Sequence, residues 1–216
     1  MSGMQVKTWL HRLTDESNLW FNAVKAEDDG DFETAVSYYM KDALECIRQQ
    51  SLVRAALSCS CAANCLVRMG SLSFARTLYS EAGTIYVENS ELALSESIRE
   101  ALWSLQQAFE NFALAGDSAV DAVRDRYVAL AARTSPFSKA DKEAKHLGLH
   151  RAEPINPDPT SETRISERLA VEIETFVNVR KSSKIEAAKF DPNHVMKAID
   201  SSGKGGSRLD EKSIAS

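Results

Sequence analysis

Gly30-Asp31-Phe32-x-x-Ala35-x-x-x-Tyr39 is followed, forty residues on, by Gly70-Ser71-Leu72-x-x-Ala75-x-x-x-Tyr79. The chain from Leu19 to Ala82 thus says one thing twice, and a third, worn copy begins at Gly116-Asp117, forty-six residues further along. Periods of this size mark arrays of helical hairpins. In each copy the glycine is suited to the left-handed conformation that ends a helix, which costs it nothing sterically. The next residue, Asp31, Ser71 or Asp117, is of the kind that caps a following helix by accepting a free backbone N–H. The pair therefore reads as a tight turn between two helices.

After Asp31 the apolar residues fall at Phe32, Ala35, Val36, Tyr39 and Ala43, and after Ser71 at Leu72, Ala75, Leu78, Tyr79 and Ala82. Both are helical stripes. The alanines mark places where two helices approach closely, with aromatics filling the space beyond. Ahead of the glycines, Leu19, Ala23 and Ala26, then Cys59, Ala62, Ala63 and Leu66, supply the faces of the partner helices. One hairpin cannot bury such a face alone, so neighbours must stack.

The run Gly-Asp-Phe-x-x-Ala-x-x-Tyr-Tyr, with small residues seven and eight places before the glycine (Asn22 and Ala23, then Ala62 and Ala63), resembles the tetratricopeptide repeat. The longer period is closer to the variant of the soluble NSF attachment proteins, whose helices are extended. The first copy alone also resembles the three-helix microtubule-interacting and trafficking module. The likeness covers roughly residues 15–132 and is weakest in the third copy, where Asp121 or Ala122 replaces the clean alanine and Tyr127 is one place off register. It implies an all-α, right-handed α-solenoid of helical hairpins whose concave wall is built from the first helix of each pair. Carried over by distance from each glycine, that wall comprises Trp20, Val24 and Glu27, then Ser60, Asn64 and Val67, then Gln106, Glu110 and Ala113. The carboxylate-clamp subclass needs cations at set points here. Trp20, Val24, Cys61, Trp103 and Gln107 occupy them, so that chemistry is not expected.

The chain has 216 residues, 44% of them hydrophobic, enough for one good core or one elongated array. Nothing approaches eighteen consecutive apolar residues, so no membrane span is expected. The start, Met-Ser-Gly-Met-Gln-Val-Lys, lacks a secretory h-region. Four cysteines, Cys46, Cys59, Cys61 and Cys65, sit inside predicted helices, which suits a reducing cytoplasm better than a disulfide framework. The net charge is −5; residues 1–134 hold 12 basic and 18 acidic residues, which gives no support for nucleic-acid binding by the repeats.

Along the chain, residues 4–13 read as a helix. The array helices are predicted at 18–29, 32–48, 52–69, 72–87, 91–115 and 118–132, with Ser51 and Ser90 capping the third and fifth. The domain reading is a repeat unit over 1–134, then a linker over 135–161 with a short helix opening at Ser138 and three prolines in 151–160. A C-terminal amphipathic segment follows over 162–200, its main helix at about 162–188 carrying Ile165, Leu169, Ile173, Phe176 and Val177. A further short helix starts at Asp191-Pro192, and a Gly/Ser/Lys-rich tail over 201–216 is expected to be disordered.

Chemistry is sparse. Cys59 and Cys61 point roughly 200° apart on a helix, so they do not converge on one ion. His146 and His150 are separated by Gly148, and Ser202-Gly-Lys-Gly-Gly lacks the strand and helix of a phosphate loop. The acidic run Glu27, Asp28, Asp29, Asp31 and Glu33 reads as a solvated turn, with a docking patch for a basic partner as the sharper alternative. No catalytic set, cofactor or metal ligand is expected. The expected function is a cytoplasmic, non-enzymatic adaptor or scaffold binding a protein segment on the concave face, alone or within a larger complex. Its partner-binding residues are Trp20, Val24, Glu27, Ser60, Asn64, Val67, Gln106 and Glu110. The Ile165–Val177 helix is expected either to fold back and fill that groove or to dock on a larger assembly. The competing class is a thiol- or metal-dependent sensor or small helical enzyme using Cys46, Cys59, Cys61 and Cys65.

Overall fold

The computed structural model describes residues 18–134 and 164–189. Within them lie seven helices: α1 Leu19–Asp28, α2 Phe32–Arg48, α3 Leu52–Arg68, α4 Leu72–Ala93, α5 Ile98–Ala115, α6 Ala119–Thr134 and α7 Glu167–Lys189. The described residues include no strand. From α1 to α6 each helix packs on the next in chain order. The expected helix at 4–13, the helix opening at Ser138, the three-proline connection, the helix from Asp191 and the tail lie outside the described residues. By compactness the chain divides after Phe176; the first unit holds α1–α6 and the start of α7, the second the rest of α7 from Val177.

The corners explain the serial packing. Gly30, Gly70 and Gly116 have φ of 77°, 77° and 65°, each just past a helix end. At each, the following residue reaches back five places: Asp31 N–H to Ala26 O, Ser71 N–H to Leu66 O, Asp117 N–H to Phe112 O, at 2.8–2.9 Å. This is the Schellman closure, which satisfies carbonyls that a helix end leaves open. A fourth corner has the same form without a glycine. Gln50 sits at φ 58°, and Ser51 N–H donates to Cys46 O at 2.8 Å. The caps vary. Asp31 accepts from Thr34 N–H at 3.2 Å, and Asp117 from Ala119 N–H at 2.9 Å. Ser51 and Ser71 hold the N-cap positions, but neither side chain makes a capping hydrogen bond.

Small side chains then set the spacing. Ala35, Ala43, Ala55, Ala56, Ala62, Ala63, Ala75, Ala82, Ala101 and Ala108 are completely buried. At the α4–α5 seam even a methyl is too much: a Cβ on Gly83 would lie 2.9 Å from the Phe112 ring. Gly83 is a weak helix former, yet it makes room for an aromatic that an alanine would displace.

The α4–α5 junction corrects the reading of the sequence. Helix α4 runs to Ala93 rather than 87, and α5 begins at Ile98 rather than 91. Ser90 is not a cap. Its hydroxyl donates within α4 to Val87 O at 2.7 Å, a local bond that serine makes readily inside helices. The cap is Ser97, which accepts from Glu100 N–H at 3.2 Å. Leu94, inside the helix expected over 91–115, lies exposed in the turn.

Helix α7 returns to the array within the first unit. Ser166 N–H donates to Glu33 Oε1 at 2.8 Å, and Ser37 Oγ donates to Glu172 Oε2 at 2.5 Å. Leu169, Ile173 and Phe176 are buried and Ile165 half-buried; Val177, in the second unit, is half-buried. Burial of the first three is worth roughly 1.5–3 kcal/mol apiece. The two hydrogen bonds run to α2, not to the predicted groove residues of α1, α3 and α5.

Two outcomes test this account by urea unfolding. Gln50→Gly is expected to stabilise the chain by about 1 kcal/mol, because it relieves a left-handed non-glycine residue. Gly30→Ala should destabilise it by about 1 kcal/mol through the backbone alone, since nothing lies within 4 Å of the added Cβ. Burial pushes the Glu172 carboxyl up, but hydrogen bonds from Ser37 and Arg168 outweigh it and hold the group below the usual range. A depressed carboxyl stabilises the fold above its unfolded pKa of about 4.3 and loses that contribution as pH falls through the folded value. Glu172→Gln should therefore cost roughly 0.5–1 kcal/mol at pH 7, with the difference from wild type vanishing in more acidic buffer.

Candidate functional site

Side-chain bonds tie alternate helices together. Glu27 on α1 pairs with Arg68 on α3 at 3.1 Å. The Arg54 guanidinium on α3 lies 5.8 Å from the centre of the Trp20 ring on α1. Ser60 Oγ on α3 donates to Asn111 Oδ1 on α5 at 2.8 Å. Helices α1, α3 and α5 thus touch one another in turn, forming one layer. On the even-numbered side, Arg126 on α6 pairs with Glu91 on α4 at 2.9 Å, and Ser80 on α4 donates to Asp117 at the α5–α6 corner.

Tyrosines from the even helices cross-link the two layers. Tyr39 Oη on α2 donates to Glu27 at 3.0 Å, its ring meeting Trp20 edge-on at 5.3 Å. Tyr79 Oη on α4 donates to Asn64 on α3 at 2.5 Å. These are the two tyrosines of the repeated motif, and the rule is the same in both copies. Each reaches a polar residue on the odd-helix layer. Burial, then the bond to Glu27, drives the Tyr39 hydroxyl well above its ordinary pKa; burial pushes Tyr79 up to about 12.

A second tie is deeper. Asp42 on α2 is 4% exposed and accepts from Arg54 Nη2 at 2.8 Å, Arg54 Nε at 3.2 Å and Ser58 Oγ at 2.7 Å. Cys46 Sγ lies 3.6 Å from the same carboxylate. A buried carboxylate is tolerable only when so fully satisfied.

The predicted partner-binding residues divide by this geometry. Trp20 and Glu27 meet α3, and Ser60 meets α5. Asn64 is exposed while accepting from Tyr79. Gln106 and Gln107 both donate to Glu110, each at 3.3 Å. Val24 and Val67 are half-buried on α1 and α3, and Ala113 is buried. The sequence reading missed Arg54 and Arg68. Nothing in the spacing marks them, because each is defined by a carboxylate on another helix. It also passed over Leu57, which is exposed on α3 and shares the helical face of Ser60 and Asn64 by its spacing of three and seven.

The cysteines are free thiols. Cys46, Cys59 and Cys65 are buried and Cys61 half-buried. Burial, then the Asp42 carboxylate, raises Cys46 to about 11. Burial, then Glu27, raises Cys61 to about 11 and Cys65 to about 12. A thiol with so high a pKa is a poor nucleophile at neutral pH. Among the described residues no three His, Cys, Asp or Glu side chains converge to hold a metal ion, and no described helix is long and apolar enough to cross a membrane.

No family model matches the chain, and neither a curated protein nor a solved structure matches it. With a thiol reagent at pH 8, Cys46, Cys61 and Cys65 are expected to react at least about tenfold more slowly in the native chain than in urea, following their thiolate fractions. Fast native labelling of any of the three would contradict the burial described.

Proposed function

We propose that this chain is a non-enzymatic protein-binding adaptor or scaffold, with the layer of α1, α3 and α5 as its recognition wall. On this reading the array is a right-handed solenoid in the style of tetratricopeptide repeats, the wall is its concave face, and the occupant is a peptide or helix of another protein. The observation that carries the reading is the state of the wall. Its helices are tied to one another by Glu27–Arg68, Arg54–Trp20 and Ser60–Asn111, yet Leu57, Asn64 and Trp103 stay exposed on it. A surface whose backbone is held while apolar and amide side chains face solvent is pre-organised for binding, because less freedom is lost on association. Two cations of the wall, Arg54 and Arg68, are engaged by Asp42 and Glu27. The centre of the wall therefore favours apolar and amide contacts over the grip of a terminal carboxylate.

The test is affinity capture from native extract with the full chain, comparing wild type with Leu57→Arg and Asn64→Lys. Both residues are exposed, so circular dichroism should report unchanged helicity. Captured protein is expected to fall by about tenfold or more, the loss of one central contact. Equal capture by all three proteins would remove the wall from consideration.

A further inference from the structure

At the far end of the same wall, α5 and α6 enclose an open cavity of about 380 Å³. Ile98, Arg99, Leu102, Trp103 and Gln106 of α5 line it on one side, Tyr127 of α6 on the other. Its walls are mainly apolar, and Arg99 is the one charged residue among those lining it. Trp103 is 43% and Ile98 41% exposed, a large apolar area to leave in water beside a cavity of this size. The Trp103 ring is not loose. Tyr86 of α4 supports it edge-on at 5.8 Å and 84°. Arg99 is exposed and forms no ion pair among the described residues. It differs in this from Arg54, Arg68 and Arg126, each of which meets a carboxylate. Glu96 and Glu100 flank Arg99 in the chain and are exposed, and neither pairs with it among the described residues. Glu110, further along α5, is held by Gln106 and Gln107.

We infer that this cavity takes an apolar side chain of a protein partner whose neighbouring residue is Asp or Glu, the carboxylate pairing with Arg99. The inference rests on the adaptor reading and adds the chemistry of the occupant. A supported tryptophan beside an aromatic-lined cavity is the usual anchor of a protein interface. A guanidinium that pairs with no carboxylate among the described residues, set at the edge of an apolar surface, is complementary to a single acid, and its charge selects among partners more than it adds affinity. The size is right for one large side chain and its neighbours, within the range of ligand-binding cavities.

The test uses fluorescein-labelled ten-residue peptides with a central Leu-Asp, Leu-Lys or Ser-Asp pair, titrated against the full chain by fluorescence anisotropy. Leu-Asp peptides are expected to bind at least about tenfold more tightly than the other two, one charge-assisted contact or one buried side chain. Arg99→Glu should reverse the preference toward Leu-Lys, and Trp103→Ala should abolish binding while helicity is kept. Equal binding of Leu-Asp and Leu-Lys, no binding of any peptide, or an Arg99→Glu chain with unchanged preference would each overturn the inference. Capture that depends on Leu57 and Asn64 would survive those results, so failure here is distinct from failure of the adaptor reading.

Discussion

Each of four corners holds one residue in the left-handed conformation while the next donates its N–H five places back, and this closure governs what the helices can do. It ends a helix without leaving its carbonyls bare and turns the chain sharply enough for the following helix to lie alongside the one just finished. Because the closure recurs after α1, α2, α3 and α5, packing proceeds in chain order. The α4–α5 connection is the exception. It runs through an exposed turn closed by a serine cap, and there the forty-residue period is lost.

Close approach is the second condition. With alanine, serine and one glycine at the seams, backbones come near enough for short polar side chains to bridge helices, whether consecutive in the chain or not. Ser60 reaches Asn111, and Ser58 reaches Asp42, because nothing bulky separates their helices. A leucine-rich seam would hold the helices further apart and leave those hydroxyls unsatisfied. The cysteines belong to the same logic. They fill small spaces between helices, where desolvation and nearby carboxylates keep Cys46, Cys61 and Cys65 protonated.

These ties give the odd-helix layer a definite character. Its Arg68 is neutralised by Glu27 and its Arg54 by Asp42 of α2, and its Trp20 and Trp103 rings are braced by Tyr39 and Tyr86 from the other layer. Leu57, Asn64 and Trp103 face solvent there beside the exposed but paired Arg54 and Arg68, and Arg99 at the α5–α6 end pairs with no carboxylate among the described residues. The start of α7 is fastened to α2 through Glu33 and Ser37, and its Leu169, Ile173 and Phe176 are buried while Leu57, Asn64 and Trp103 stay exposed.

Helix positions and corners were legible in the residues themselves because both follow from local rules. Gly-Asp and Gly-Ser pairs at a forty-residue period, with alanine and tyrosine at set distances, determined where α1, α2 and α3 begin and end to within a residue or two. The same rules failed at Ser90, where a residue typical of caps satisfied its hydroxyl inside the helix, and at Gln50, where packing imposed a conformation its side chain disfavours. The site was legible only in outline. Trp20, Glu27, Ser60 and Asn64 were identified by distance from a glycine, but their partners Arg54, Arg68, Asn111 and Tyr79 come from helices twelve or more residues away. Local periodicity determines which face a residue takes; which carboxylate meets which cation depends on how closely two backbones pack, and only the folded array decides that.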